Sequence, residues 1–169
     1  MAEANVLPRD EAKWALECFL DAEDFLRPDN AVAALLILDD GRYVMQRRDV
    51  LPNIFYPDHW GCFGGGVNAG EAPELAMVRE LEEELQFAPG AMEEFTRFEF
   101  DFSKVGQSKV FRVYYEIEVS DAAFSKFVLH EGAAFEAVDG REFLSNRKVT
   151  PYDAFAIWMH MSRRRFKHA

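Results

Sequence analysis

The apolar positions of this chain fall into short runs of strand period, separated by a few longer stretches of helical period. Residues 31–38 (AVAALLIL) are apolar throughout, which suits a fully buried strand. Asp40-Gly41 follows as a turn and residues 43–47 form a second strand, so the two read as a hairpin. Residues 49–58 hold two prolines and read as a loop. Residues 59–63 make a short strand that runs into Gly64, Gly65 and Gly66. Residues 95–102 alternate Phe with polar side chains, and residues 110–119 alternate again; a turn at 103–107 pairs them. Residues 135–138 supply a last strand before a turn at Asp139-Gly140, while 124–129 fits no single period.

Three stretches have helical period. Residues 9–26 carry Trp14, Phe19 and Leu20 among their apolar positions and end at Pro28-Asp29-Asn30. Within residues 73–85, a rotation of about 100° per residue gathers Leu75, Val78, Leu81 and Leu85 on one side. It puts Glu80, Glu83 and Glu84 on the other, so burial and charge are expected on separate faces. Pro73 and Glu74 suit a first turn, but Ala72 has no side chain that can cap it. Residues 151–166 gather Ala154, Ile157, Trp158 and Met161, and the basic run Arg163, Arg164, Arg165 and Lys167 complements the helix dipole there.

Composition narrows the function. A chain of 169 residues is one domain by length, large enough for a real core. A formal net charge of −11 disfavours DNA and RNA, whose phosphates call for Lys and Arg. The first residues lack the basic start and apolar centre of a secretion signal, and the longest apolar run is far too short to span a bilayer. Two cysteines, Cys18 and Cys62, make no disulfide framework. A cytoplasmic protein is expected, with a small-molecule partner, no nucleic-acid polymer and no membrane; a homodimer stays open.

The chemistry concentrates in residues 65–87, GGVNAGEAPELAMVRELEEELQF. Glu80, Glu83 and Glu84 stand at i, i+3 and i+4, where like charges destabilise a helix by a few tenths of a kcal/mol per pair. A divalent cation reverses that sign. Mg²⁺ takes oxygen ligands and usually acts on phosphates. The bland alternative is a solvated acidic helix face; such a face has no need of the glycine entry, Glu71 or Arg79.

This stretch resembles the Nudix hydrolase signature G-x5-E-x7-R-E-U-x-E-E-x-G-U, with U a bulky apolar residue. Gly65, Glu71, Arg79-Glu80-Leu81, Glu83-Glu84 and Phe87 match it, and Gln86 replaces the family Gly. That Gly normally ends the helix, so the end is expected slightly later, at Pro89-Gly90. The resemblance implies an α/β/α sandwich with a mixed sheet and the box as loop and helix. A Nudix domain is expected over residues 29–169, with residues 1–28 as a helical extension that packs over the sheet or at a dimer contact.

The resemblance also implies a pyrophosphohydrolase dependent on Mg²⁺ or Mn²⁺. Metal ligands would be Glu80, Glu83, Glu84 and a carbonyl such as that of Gly65. Catalytic roles fall to Glu83, Glu84, Glu131 and Arg79, and Glu71 holds the start of the helix. Glu131, in Leu129-His130-Glu131-Gly132, resembles a later metal-binding or basic Glu of the family; Glu136 is the runner-up and His130 a third option. Arg47 or Arg48 would reach a phosphate, though strand neighbours point to opposite faces, so at least one faces water. Phe55, Tyr56 and Trp60 surround the preceding loop as candidates to stack a base, and Asp153 falls where a relative reads guanine. The substrate expected is a nucleoside triphosphate or a nucleotide sugar. Two other readings are a nucleotide-binding regulatory domain of this fold, and an isopentenyl-diphosphate-isomerase-like enzyme, which would need an essential cysteine such as Cys62.

Overall fold

The computed structural model describes residues 28–166 except 52, 53 and 55. The expected helix at 9–26, the extension at 1–28 up to residue 27, and Phe55 lie outside the described residues.

Among the described residues six strands form one mixed sheet: β1 (Ala31–Leu38), β2 (Tyr43–Arg47), β3 (Trp60–Gly61), β4 (Glu93–Asp101), β5 (Lys109–Val119) and β6 (Ala134–Val138). The order is β3-β2-β1-β5-β4, with β6 paired to β2. The β1–β5 ladder is parallel, from Ala31↔Arg112 to Leu38↔Val119, and the other pairings are antiparallel. The apolar run of β1 is explained by this central place, since both its faces are covered by helices. The 3-10 turn Ser103–Val105, closed by Gly106 at φ 79°, joins β4 to β5 as expected.

Among the described residues four α-helices cover the sheet: α1 (Pro73–Leu85), α2 (Asp121–Phe124), α3 (Gly140–Asn146) and α4 (Pro151–Phe166). One core joins Val32, Ala34, Leu36, Val44 and Phe63 to Met77, Leu81 and Leu85 of α1. The other joins Ala33, Leu35, Tyr43, Met45, Trp60 and Cys62 to Phe143 of α3 and Ala156 and Ile157 of α4. The sheet is therefore a central layer between α1 and the α3–α4 pair, the sandwich the sequence led us to expect.

Three expectations need correction. The buried face of α1 is Ala76, Met77, Leu81, Glu84 and Leu85, while Leu75 and Val78 are 65 % and 37 % exposed. Glu84 therefore shares the buried face with the leucines. The buried face of α4 is likewise rotated, to Asp153, Ala156, Ile157 and His160, leaving Trp158 and Met161 exposed. The turn at Asp139-Gly140 is a helix start: Asp139 Oδ1 accepts from the amides of Arg141 and Glu142 at 2.9 and 3.0 Å and caps α3.

Helix α1 ends on the box position itself, before Pro89-Gly90. Gln86 takes the left-handed conformation, φ 52° and ψ 40°, that the family Gly would take. Its amide donates to Glu82 O at 3.0 Å and the Phe87 amide to Leu81 O at 3.2 Å, closing the last turn.

Candidate active site

The site starts from the glycine loop. Gly64 has φ 130°, and a Cβ there would lie 2.9 Å from Cα of Ala33 in β1, so only glycine lets this backbone run so close to the sheet. Beside it, a Cβ on Gly65 would stand 2.5 Å from Glu80 Oε2. The missing side chain leaves a small space between loop and carboxylate.

Helix α1 begins at Ala72, extended at φ −74° and ψ 140°, with no capping side chain. Glu71 ties down this entry instead. Its carboxylate accepts from the Asn68 amide at 2.9 Å and from Arg79 Nε and Nη2 at 2.9 and 3.0 Å. The Arg79 bonds first, and the Asn68 amide second, hold the Glu71 carboxyl down at about 2. Arg79 also donates to Glu80 at 2.6 Å, to Glu83 at 3.1 Å and to Gly66 O at 2.9 Å. One guanidinium thus ties the loop to the helix and orients two of its carboxylates.

Glu84 is 4 % exposed. The Gly64 amide donates to its Oε2 at 2.7 Å and Gln46 Nε2 to its Oε1 at 3.0 Å. Burial pushes its carboxyl up to about 8; the two hydrogen bonds oppose this, and Glu131 and Glu80 add to it by repulsion. Glu80 is also raised, first by burial, then against the pull of Arg79, with Glu83 and Glu131 repelling it. Glu83 is the outlying member, with a side chain 61 % exposed.

Glu131 arrives from far along the chain. Its loop is pinned on three sides: the His130 amide donates to Glu84 O at 2.9 Å, Gly132 to Asp49 Oδ2 at 3.1 Å and Ala133 to Arg47 O at 2.8 Å. Gly132 has φ 94°, and a Cβ there would meet Gln46 Oε1 at 2.7 Å. These anchors hold exposed Glu131 where it repels both Glu80 and Glu84. Glu136 faces the other layer, because its strand neighbours Phe135 and Ala137 pack toward α1, and it is paired to Arg147 at 2.8 Å. His130 is exposed.

Four residues expected at the substrate stand elsewhere or are engaged. Arg47 pairs with Asp58, Nε to Oδ1 at 2.8 Å, with its side chain 46 % exposed. Arg48 is half-buried, and its charge acts on the Tyr152 hydroxyl. Trp60 is a core residue, 6 % exposed, at right angles to Phe143 at 6.3 Å with the Arg147 guanidinium 5.1 Å from its ring, so it is too buried to stack a base. Asp153 is 2 % exposed; it accepts from Cys62 N (3.0 Å), Thr150 Oγ1 (2.7 Å), Tyr114 Oη (2.8 Å) and Arg112 Nη2 (3.2 Å). Both of its oxygens are saturated from within the fold. Cys62 packs in the α4 core, on the face of the sheet opposite α1, and burial pushes its thiol up.

Sequence reasoning passed over Gln46 and Asp49. A signal existed for Gln46: it alternates with Val44, so it is a polar residue at a core position of a strand, which demands a partner. Nothing local marks Asp49, whose partner lies eighty-three residues away.

The NUDIX domain family model matches residues 27–166. An RNA pyrophosphohydrolase of Gluconobacter oxydans is 39 % identical over 59 residues, 35 % of this chain and 31 % of that one. An uncharacterized Nudix hydrolase of Pseudomonas aeruginosa is 41 % identical over 68 residues, 40 % of each chain. The matched segments thus span only about a third to two-fifths of these relatives. Among solved structures, a MutT protein from Methanosarcina mazei superposes with a TM-score of 0.62 at 20 % identity, covering 84 % of this chain and 99 % of that one. The NUDIX domain of Shewanella oneidensis NrtR, complexed with ADP ribose, gives 0.63 at 17 % identity, covering 93 % and 99 %. At these identities the two structures bear on the fold alone.

Proposed function

This chain belongs to the Nudix family, and from that premise we propose that it is a pyrophosphohydrolase that cleaves the diphosphate linkage of a nucleoside triphosphate or a nucleotide sugar. The observation that carries this reading is the gathering of Glu80 and Glu84 against Gly64 and Gly65, with Glu131 close enough to repel both.

The donor set is all oxygen, which fits Mg²⁺ or Mn²⁺. Three fit features stand together: the space a Gly65 Cβ would fill, Glu80 Oε2 facing it, and a Glu84 carboxyl raised by burial, with Glu131 and Glu80 adding repulsion. Among the described residues no three carboxylates are already in ligand geometry, because Arg79, Gln46 and the Gly64 amide engage them. Glu80 and Glu84 would hold the cation, with Glu83 turning in from solvent and the Gly65 carbonyl completing the set. When bound, it neutralises the diphosphate oxygens and makes a nearby water more acidic.

The protein's own groups then do the rest. Glu131 accepts a proton from water as the water oxygen attacks phosphorus. The P–O bond to the bridging oxygen breaks, and its electron pair leaves with the departing phosphate. Arg79 keeps Glu80 and Glu83 oriented, and Gln46 and the Gly64 amide fix Glu84. The net charge of −11 fits a small substrate that brings its own cation better than a polymer.

The test is a panel of triphosphates, nucleotide sugars, dinucleotides and ADP-ribose with Mg²⁺ and with Mn²⁺, with identification of the phosphorylated products. Turnover of one class that stops on chelation is expected. Tight nucleotide binding with no turnover across the panel would instead favour a regulatory domain.

A further inference from the structure

Glu131 is exposed, so its placement depends on the backbone beneath it. That backbone is held by four hydrogen bonds. The Val128 amide donates to Leu85 O at 3.2 Å and the His130 amide to Glu84 O at 2.9 Å, so the loop satisfies the last carbonyls of α1. The Ala133 amide donates to Arg47 O at 2.8 Å, at the end of β2. The Gly132 amide donates to Asp49 Oδ2 at 3.1 Å. Three of the four join backbone to backbone; the last alone depends on a side chain.

That bond acts on Glu131 in particular. The Glu131 carbonyl and the Gly132 amide share one planar peptide, so holding the N–H fixes the rotation between the Glu131 Cα and its carbonyl carbon. With the His130 amide also held, Glu131 stands between two fixed points. Gly132 cannot supply this order itself. A Cβ there would lie 2.7 Å from Gln46 Oε1 and 3.1 Å from Arg47 O, and φ is 94°, so the passage calls for glycine, the residue with the most backbone freedom. The restraint must come from outside, and half-buried Asp49, just past the end of β2, supplies it. We propose that Asp49 is a positioning residue, whose carboxylate fixes the Gly132 amide and thereby holds Glu131 in place. The inference rests on the hydrolase reading, in which Glu131 takes the proton of the attacking water. A group that meets the water alters the chemical step, so displacing it lowers kcat and spares KM.

The test compares Asp49→Ala with Asp49→Asn, which keeps an oxygen acceptor. In the cation-free full chain, the Gly132 amide is expected to exchange at least about tenfold faster in Asp49→Ala, and within about threefold of the unaltered rate in Asp49→Asn. Rates are then measured with Mg²⁺ and the triphosphate or nucleotide sugar that the unaltered protein turns over fastest. Asp49→Ala is expected to lose at least about tenfold in kcat at unchanged KM, and Asp49→Asn to stay within about threefold. In a Glu131→Gln background the Asp49→Ala loss should vanish, because no base is left to position. Unchanged exchange or kcat in Asp49→Ala, a loss that persists beside Glu131→Gln, or Asp49→Asn as slow as Asp49→Ala overturns the inference while the hydrolase reading stands. A full rate in Glu131→Gln, or no turnover by the unaltered protein, instead removes the reading of Glu131 and takes the inference with it.

Discussion

The two faces of the sheet bury carboxylates in opposite ways. On the α4 face, Asp153 meets Arg112, Tyr114, Thr150 and the Cys62 amide. Nearby, Glu116 accepts from Arg163 at 2.7 Å and lies 3.1 Å from His160 Nε2. Burial pushes the Glu116 carboxyl up, but the bonds from Arg163 and His160 outweigh it and leave the group lowered. On the α1 face, Glu84 has two neutral donors and two negative neighbours, and it ends near 8. A buried carboxylate with a cation beside it is a strut. One left short of positive charge is a place prepared for charge brought from outside.

The contrast is sharpest when each face loses its acid. Asp153→Ala strands Arg112 and removes an acceptor from three further donors, so a loss of about 3–5 kcal/mol of unfolding free energy is expected. Chemical denaturation measures it, and a loss under about 1 kcal/mol would mean the strut is decorative. Glu84→Gln should do the reverse, with little change in stability and a fall in turnover of at least about a hundredfold; Glu83→Gln should match it. Both variants working at the unaltered rate would remove the carboxylates from the proposed chemistry.

A smaller effect distinguishes the faces by pH. Glu84 titrates near 8, so in the cation-free protein at pH 7 it is mostly protonated, and binding a cation must expel that proton. Mg²⁺ affinity should therefore rise about tenfold per pH unit below 8 and level off above it. Isothermal titration at several pH values checks this. A flat affinity from pH 6 to 8 would mean that Glu84 is not a ligand.

This contrast was only half legible in the sequence. The box could be read because its chemistry is local: Gly65, Glu71, Arg79 and the three glutamates lie within twenty residues, and their spacing fits one loop and one helix. The orientation of α1 could not. Hydrophobic period alone favours Leu75 and Val78, but the helix is seated by Glu84, which reaches down to the Gly64 amide and Gln46 and turns Ala76 and Met77 inward. Helix α4 was misread in the same way, because Asp153 and His160 belong to its buried face and count as polar in any periodicity. In both helices a buried polar group with distant partners decided the face, and partners twenty or more residues away leave no local trace. The mixed sheet was easier, since strand period and turn residues mark each strand separately.

The smallest expected effect sits where the α1 face departs from its family. Gln86 ends the helix at φ 52°, a conformation that costs a side-chain-bearing residue on the order of 1 kcal/mol and glycine almost nothing. Glycine also loosens the unfolded chain, which takes back part of that gain. Gln86→Gly should therefore stabilise the fold by about 0.5 kcal/mol and leave turnover unchanged, because Gln86 is exposed and bonds through its backbone, which glycine retains. Thermal unfolding and steady-state rates together make the check. A destabilised variant would mean that the Gln86 side chain holds the helix end through a contact of its own, and a slowed one would tie that end to the carboxylates a turn away.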